Sequence, residues 1–161
     1  MIASPIGPVS NAGISKIGPM ADPDVDGWQA MIDVNLRGVF SGIAAALPVF
    51  RRQGHGHLVT TVSTAGMKIV PTQAVYAATK NAVRTLLEGL RQESTDGGMA
   101  RLRPHRTRRL HRHPRSPRPD PPHRDEFAIS PDAVARAIAF AVEQPYDVEI
   151  GDITIRPAVQ G

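Results

Sequence analysis

Seven residues, HLVTTVS at 57–63, lie between two helix-length stretches of residues that repeat at helical spacing. The run is short, apolar and β-branched, which fits a buried strand. Helix, buried strand, helix in that order leaves few folds open. Parallel strands joined by helical crossovers are the standard solution, and they make an α/β sandwich.

The first helical stretch is DPDVDGWQAMIDVNLRGVFSGIAAALPVFRRQG. Its acids lie at the front, and Arg51 and Arg52 at the back, as the helix dipole favours. Trp28, Met31 or Ile32, Leu36, Val39 and Ile43 form the expected apolar stripe. Gly38 and Gly42 point to close packing, Pro48 to a kink in the last turns, and Gly54 and Gly56 to the stop. The second stretch, TQAVYAATKNAVRTLLEGLRQES, puts Val75, Ala78, Ala82, Leu86 and Leu90 on its apolar face. DGG at 96–98 reads as its end. Ahead of both, VSNAGIS reads as a strand end running into a glycine turn. Near the C-terminus, SPDAVARAIAFAVEQP opens with Ser130 as N-cap and Pro131 at the first helical position. Val134, Ile138 and Ala141 share a face there. DVEIGDITIRP reads as a closing strand, with a bulge or a late start at Gly151.

Between these segments the composition changes abruptly. Residues 101–124 hold nine arginines, six prolines, four histidines and one acid. The run has neither period and is expected to be disordered. It makes the whole chain basic, at +4, while the rest carries 10 basic and 14 acidic residues. Nucleic-acid binding through this stretch is an alternative function, but nine arginines without an aromatic to stack bases give electrostatic contact only, so no specific nucleic-acid partner is expected. Irregular histidine spacing and the absence of cysteine argue against a metal site. No apolar run is expected to reach the roughly 18–20 residues that span a bilayer and no leader pattern opens the chain, so a cytoplasmic protein away from membranes is expected. The expected organisation is a core over 1–98, a disordered insert over 99–127, and a closing helix and strand of the same domain over 128–161.

Tyr76 and Lys80 in YAATK are four apart and so share a helix face. An ammonium near a phenol favours the phenolate and is expected to lower the tyrosine's pKa. Such a phenol can exchange a proton with an alcohol or carbonyl oxygen. Ser63 ends the strand just before this helix, and its hydroxyl can polarise the same oxygen. Asn35 is a polar residue inside an apolar helical stretch. It needs partners, and a relay water is one.

Together NAG at Asn11, Ala12 and Gly13, MIDVNLRGV around Asn35, VSTAG with Ser63, and YAATK resemble the short-chain dehydrogenase/reductase family in order and spacing. The resemblance covers residues 8–98 and about 128–161, where EGLRQES and ITIRP also fit the family pattern. It implies a partial Rossmann-type, doubly wound parallel sheet and an NAD(P)-dependent oxidoreductase acting on a small carbonyl or alcohol. Tyr76 would be the acid/base. Lys80 would tune it and bind the nicotinamide ribose. Ser63 would hold the substrate oxygen, and Asn35 would complete the relay. Asn11, Ala12 and Gly13 would support the sheet beside the cofactor, and the two long helices would carry homo-oligomer contacts.

The family's first strands and its Gly-x-x-x-Gly-x-Gly phosphate turn have no counterpart in this sequence. The resemblance therefore enters roughly eighty residues into the family pattern, and binding of NAD or NADP is expected to be impaired. A catalytically dead fragment that keeps the helix contacts is the alternative outcome. The arginine-rich stretch sits where the family has a strand, a Pro-Gly turn and a substrate loop. Read one base later, with arginine as CGN and leucine as CTN, ARLRPHRTRRLHRH permits RVSVPTGRVDSTDT. A shifted reading frame near 99–127 is the expectation.

Overall fold

The computed structural model describes residues 7–95, 101–109, 129–145 and 148–156. Four parallel strands lie side by side in chain order: β1 Val9–Ser10, β2 His55–Ser63, β3 Arg101–Arg109 and β4 Asp152–Ile155. Helices make the crossovers. A helical segment of three parts, α1 Val25–Ile32, a π turn Asp33–Arg37 and α2 Gly38–Gln53, joins β1 to β2. Helix α3, Ala74–Thr95, and helix α4, Pro131–Val142, make the other two. The order contains no reversal, so these strands are one half of a doubly wound sheet.

The first helical segment begins where the Asp24 carboxylate accepts the Gly27 N–H at 2.9 Å. Its buried residues are Gly27, Met31, Asn35, Val39, Ile43, Ala46 and Phe50. Steps of four drift about 40° per step around an ideal helix. The π turn has a longer repeat and absorbs part of that drift. Asn35 sits inside that turn and so stays on the core face. The helix runs on through Pro48 and ends at Gly54, whose φ of 76° is the left-handed C-cap that glycine adopts most easily. By length and composition this helical segment could cross a membrane; here one face of it packs on the sheet.

Every residue of β2 after His55 is buried, as a strand covered on both faces requires. Phe50, Leu58 and Val62 meet Val39, Ile43, Val83, Leu87 and Leu90 in the main core, so α2 and α3 cover the same face of β2. Gly56 is needed where it stands, because a Cβ there would enter the Phe50 ring. Ser130 caps α4 by accepting the Ala133 N–H at 3.2 Å, and Val134 and Ala141 are buried with Ile138 beside them. β4 begins at Asp152, so the slip at Gly151 is a late strand start.

Two expectations need correction. The buried face of α3 is Tyr76, Ala77, Thr79, Lys80, Val83, Leu87, Leu90 and Ser94, whereas Ala78 is exposed. Ranking by hydropathy placed the stripe about one residue off, because the side that faces the sheet carries a phenol, a hydroxyl and an amine. Second, residues 101–109 form β3 rather than an irregular run. Nine register pairs with β2, from His55↔Arg101 to Ser63↔Arg109, hold it, and backbone pairing does not depend on side-chain hydropathy. The rest of the arginine-rich run, and DGG at 96–98, lie outside the described residues.

Candidate active site

The site forms at the carboxyl end of β2, where the chain leaves the sheet. Ser63 is the last residue of that strand and the N-cap of a short 3₁₀ turn, Thr64–Gly66. Its Oγ accepts the Ala65 N–H at 3.1 Å, which fixes the hydroxyl at the strand end. The turn is pinned to α3, since Asn81 Nδ2 donates to the Gly66 carbonyl at 2.9 Å. A Cβ on Gly66 would come within 3.0–3.1 Å of the α3 backbone at Lys80 and Asn81. Glycine thus allows the approach that places Ser63 beside the first turns of α3.

Tyr76 and Lys80 project from those turns towards Ser63. All three are nearly closed to solvent, at 3%, 7% and 3% exposed. The Tyr76 and Ser63 side chains line the same cleft, close enough for the Ser63 hydroxyl to act on the phenol. Lys80 Nζ donates to the Thr61 carbonyl at 3.2 Å and lies 5.9 Å from the centre of the Tyr76 ring. Asn11, Gly13, Ile14 and Ser15 close the cleft from the side of β1, and Thr61, Val62, Ser63, Tyr76 and Lys80 complete its lining. Asn11 is tied into the sheet through its Oδ1, which accepts the Thr61 hydroxyl at 2.9 Å. Of the residues expected from the sequence, Ala12 and Asn35 are outside this lining. Ala12 is exposed in the turn. Asn35 stands behind the cleft wall, where Nδ2 donates to the Ile14 carbonyl and Oδ1 accepts the Ile14 N–H, both at 2.8 Å. Both amide protons of Asn35 are already committed to protein acceptors. A relay through its side chain would use the remaining lone pair on Oδ1.

The electrostatics differ from the expectation in one respect. Burial raises the Tyr76 pKa above 10.0, and the Ser63 hydrogen bond offsets part of that rise. The expected lowering by Lys80 is not among the causes of the shift; the amine donates to the Thr61 carbonyl. Burial also lowers the Lys80 pKa from 10.5. At neutral pH Tyr76 is therefore protonated.

The lowered lysine pKa has a consequence for stability. Below its folded value, the fold holds a buried charge that the unfolded chain hydrates, so Lys80 opposes folding there. That penalty fades as pH rises from the lowered folded value to 10.5. Lys80→Met is expected to raise the melting temperature at neutral pH by about 2–4 °C. It should also flatten the rise of stability with pH over that window. Thermal denaturation across pH checks both effects.

Thr79, Thr61 and Ser15 were not singled out from the sequence. A β-branched hydroxyl at Thr79 within an alanine-rich turn was the available signal, since such residues in helices bond to nearby carbonyls. Ser15 Oγ is buried beside the cleft without a protein partner.

The nicotinamide half of a dinucleotide fits these residues. A Cβ on Gly13 would lie 3.3 Å from both Lys80 Nζ and Asn35 Oδ1. Its absence leaves room beside the Lys80 amine, a lining group of the cleft, for a hydroxyl-bearing ligand. The phosphate half has no such support, because no glycine-rich turn at a helix N-terminus occurs among the described residues.

A family model described as short chain dehydrogenase matches residues 8–100. An uncharacterized oxidoreductase of Listeria monocytogenes is 37% identical and aligns with 93% of this chain. One from Staphylococcus saprophyticus is also 37% identical, over 94% of it. The chain spans 64% and 65% of the length of these two relatives. Among solved structures, serine dehydrogenase from Escherichia coli superposes with a TM-score of 0.78 at 28% identity, over 95% of this chain and 63% of that one. An alcohol dehydrogenase from Thermococcus sibiricus, complexed with 5-hydroxy-NADP, gives 0.79 at 25% identity, over 99% and 66%.

Proposed function

Since the chain belongs to the short-chain dehydrogenase family, we propose that its cleft carries out the proton-transfer half of carbonyl–alcohol interconversion. The observation that carries this reading is the enclosure of Tyr76, Ser63 and Lys80 in one buried cleft, with the Lys80 amine 5.9 Å from the centre of the Tyr76 ring. A substrate carbonyl oxygen accepts hydrogen bonds from Ser63 and Tyr76. Tyr76 delivers its proton to that oxygen as the carbon is reduced, and regains one from solvent. In the reverse direction the phenolate takes the alcohol proton. Its raised pKa keeps the phenol protonated at neutral pH, the form that reduction uses, while the phenolate that oxidation uses grows as pH climbs. Lys80 and Tyr76 would hold the nicotinamide ribose, and a reduced nicotinamide bound there supplies the hydride.

Cofactor affinity follows from the residues present. With no phosphate cradle among the described residues, NADH and NADPH are expected to bind this chain no more tightly than reduced nicotinamide mononucleotide. The test is oxidation of each donor against a panel of small aldehydes, ketones and keto acids, including the β-aldehyde that oxidation of the serine hydroxyl gives, because a serine dehydrogenase is among the structural neighbours. Turnover with similar KM for mononucleotide and dinucleotide supports the reading. A micromolar KM for NADPH would refute the weak-cradle part, and no turnover with any donor would refute the whole.

A fragment retaining only oligomer contacts is favoured by one observation. Phe40 and Val49 on α2 are 46% and 38% exposed, large for apolar residues on a helix that also packs on the core. A defined dimer in size-exclusion chromatography, together with no hydride transfer, selects that reading.

A further inference from the structure

Asn35 is 1% exposed and stands where three segments meet. Its Oδ1 accepts from Ile14 N at 2.8 Å, and Nδ2 donates to the Ile14 carbonyl at 2.8 Å and to Thr79 Oγ1 at 3.2 Å. Thr79, itself buried, donates its only proton to the Tyr76 carbonyl at 2.8 Å. The set is complete and directional. A hydroxyl that has given its proton to Tyr76 can only accept from Asn35. Turning the Asn35 amide over would set its oxygen against an oxygen at Thr79 and its NH₂ against the Ile14 N–H. The geometry points to Thr79 as a positioning residue that fixes the orientation of the Asn35 amide and thereby clamps the Ile14 wall of the cleft to the α3 turn that carries Tyr76.

Nothing in the motif reading assigns this work to Thr79, which lies between the two residues that hold attention there. A purely structural threonine would fill space with its methyl group and lend stability to the whole domain. A clamp acts locally: its loss frees Ile14 and loosens the turn that presents the phenol to Ser63.

Both consequences can be read without cofactor or turnover. The chain has two tyrosines, so in a Tyr146→Phe background the near-ultraviolet phenolate absorbance reports Tyr76 alone. In Thr79→Val and Thr79→Ala the Ile14 amide is expected to exchange about tenfold faster relative to Val62 in β2, the scale of one lost buried hydrogen bond. The Tyr76 titration should move to higher pH as the Ser63 contact weakens, and Thr79→Ser should restore both. Equal acceleration at Ile14 and Val62 with an unmoved titration would overturn the proposal. If the valine and alanine variants do not fold, the serine variant decides. A folded serine variant with the parent's titration supports the clamp, and an unfolded one assigns the role to the methyl group and overturns it. The proposal rests on Tyr76 as the acid. Selective release of Ile14 with no hydride transfer under any condition would sink that reading while leaving the clamp intact.

Discussion

Tyr76→Phe is expected to slow carbonyl reduction by about 10²- to 10⁴-fold, the usual size of a positioned acid's contribution. The loss should fall on kcat, because the ring stays and only the proton donor goes. Phenylalanine keeps the aromatic packing of Tyr76 against Met31, Ala65 and Ala77, so the fold should survive. Removing a buried hydroxyl leaves the Ser63 hydroxyl one partner short, which costs about 1–3 kcal/mol if nothing replaces it. Circular dichroism and steady-state rates on the same preparation separate the two effects. A variant that folds and reduces substrate at the parent rate would remove Tyr76 from the chemistry.

The second large effect concerns β3. It is an interior strand, with β2 on one side and β4 on the other. Interior parallel strands are normally near-continuous apolar runs. Residues 101–109 hold five arginines, and Pro104 pairs with Leu58 while having no N–H to offer the ladder. Topology and sequence disagree there more than anywhere else in the described chain. The family model also stops at residue 100. Replacing residues 100–113 by RVSVPTGRVDSTDT keeps the proline at 104 but puts valine at 101 and 103, in place of two arginines that pair with β2. The replacement is expected to raise the melting temperature by about 5–10 °C, from roughly 2–3 kcal/mol of recovered strand stability, and to increase the soluble yield. An unchanged melting temperature would mean that the arginine-rich strand suits its position. Codons in the gene that give no strand-like sequence in the shifted frame would separately dispose of the frame-shift explanation.

These two regions also mark how far the sequence could be read. The strand at 57–63 and the helices around it were legible because their periodicity and caps agree with the packing that buries them. Ser63, Tyr76 and Lys80 were legible as a set because helix geometry alone brings the last two to one face, and the strand end supplies the first. The true buried face of α3 was not legible, because its inner side carries polar groups whose burial depends on partners far along the chain. Thr79 pairs with Asn35, 44 residues away. The sign of the Tyr76 shift failed for a related reason. Spacing gives the distance to a lysine but not the depth of burial, and burial dominates here. Strand β3 was hidden by its side chains, since pairing in a sheet is a property of the backbone and of the strand next to it.

The most direct measurement follows the hydride itself. Reduced nicotinamide mononucleotide deuterated at C4 is incubated with the chain and a carbonyl substrate that the parent turns over. The expected result is deuterium on the carbinol carbon of the product with the parent chain, and almost none with Tyr76→Phe over the same time. Product that carries no label, or equal label from both proteins, would contradict a cleft in which this phenol protonates the oxygen while the neighbouring carbon is reduced.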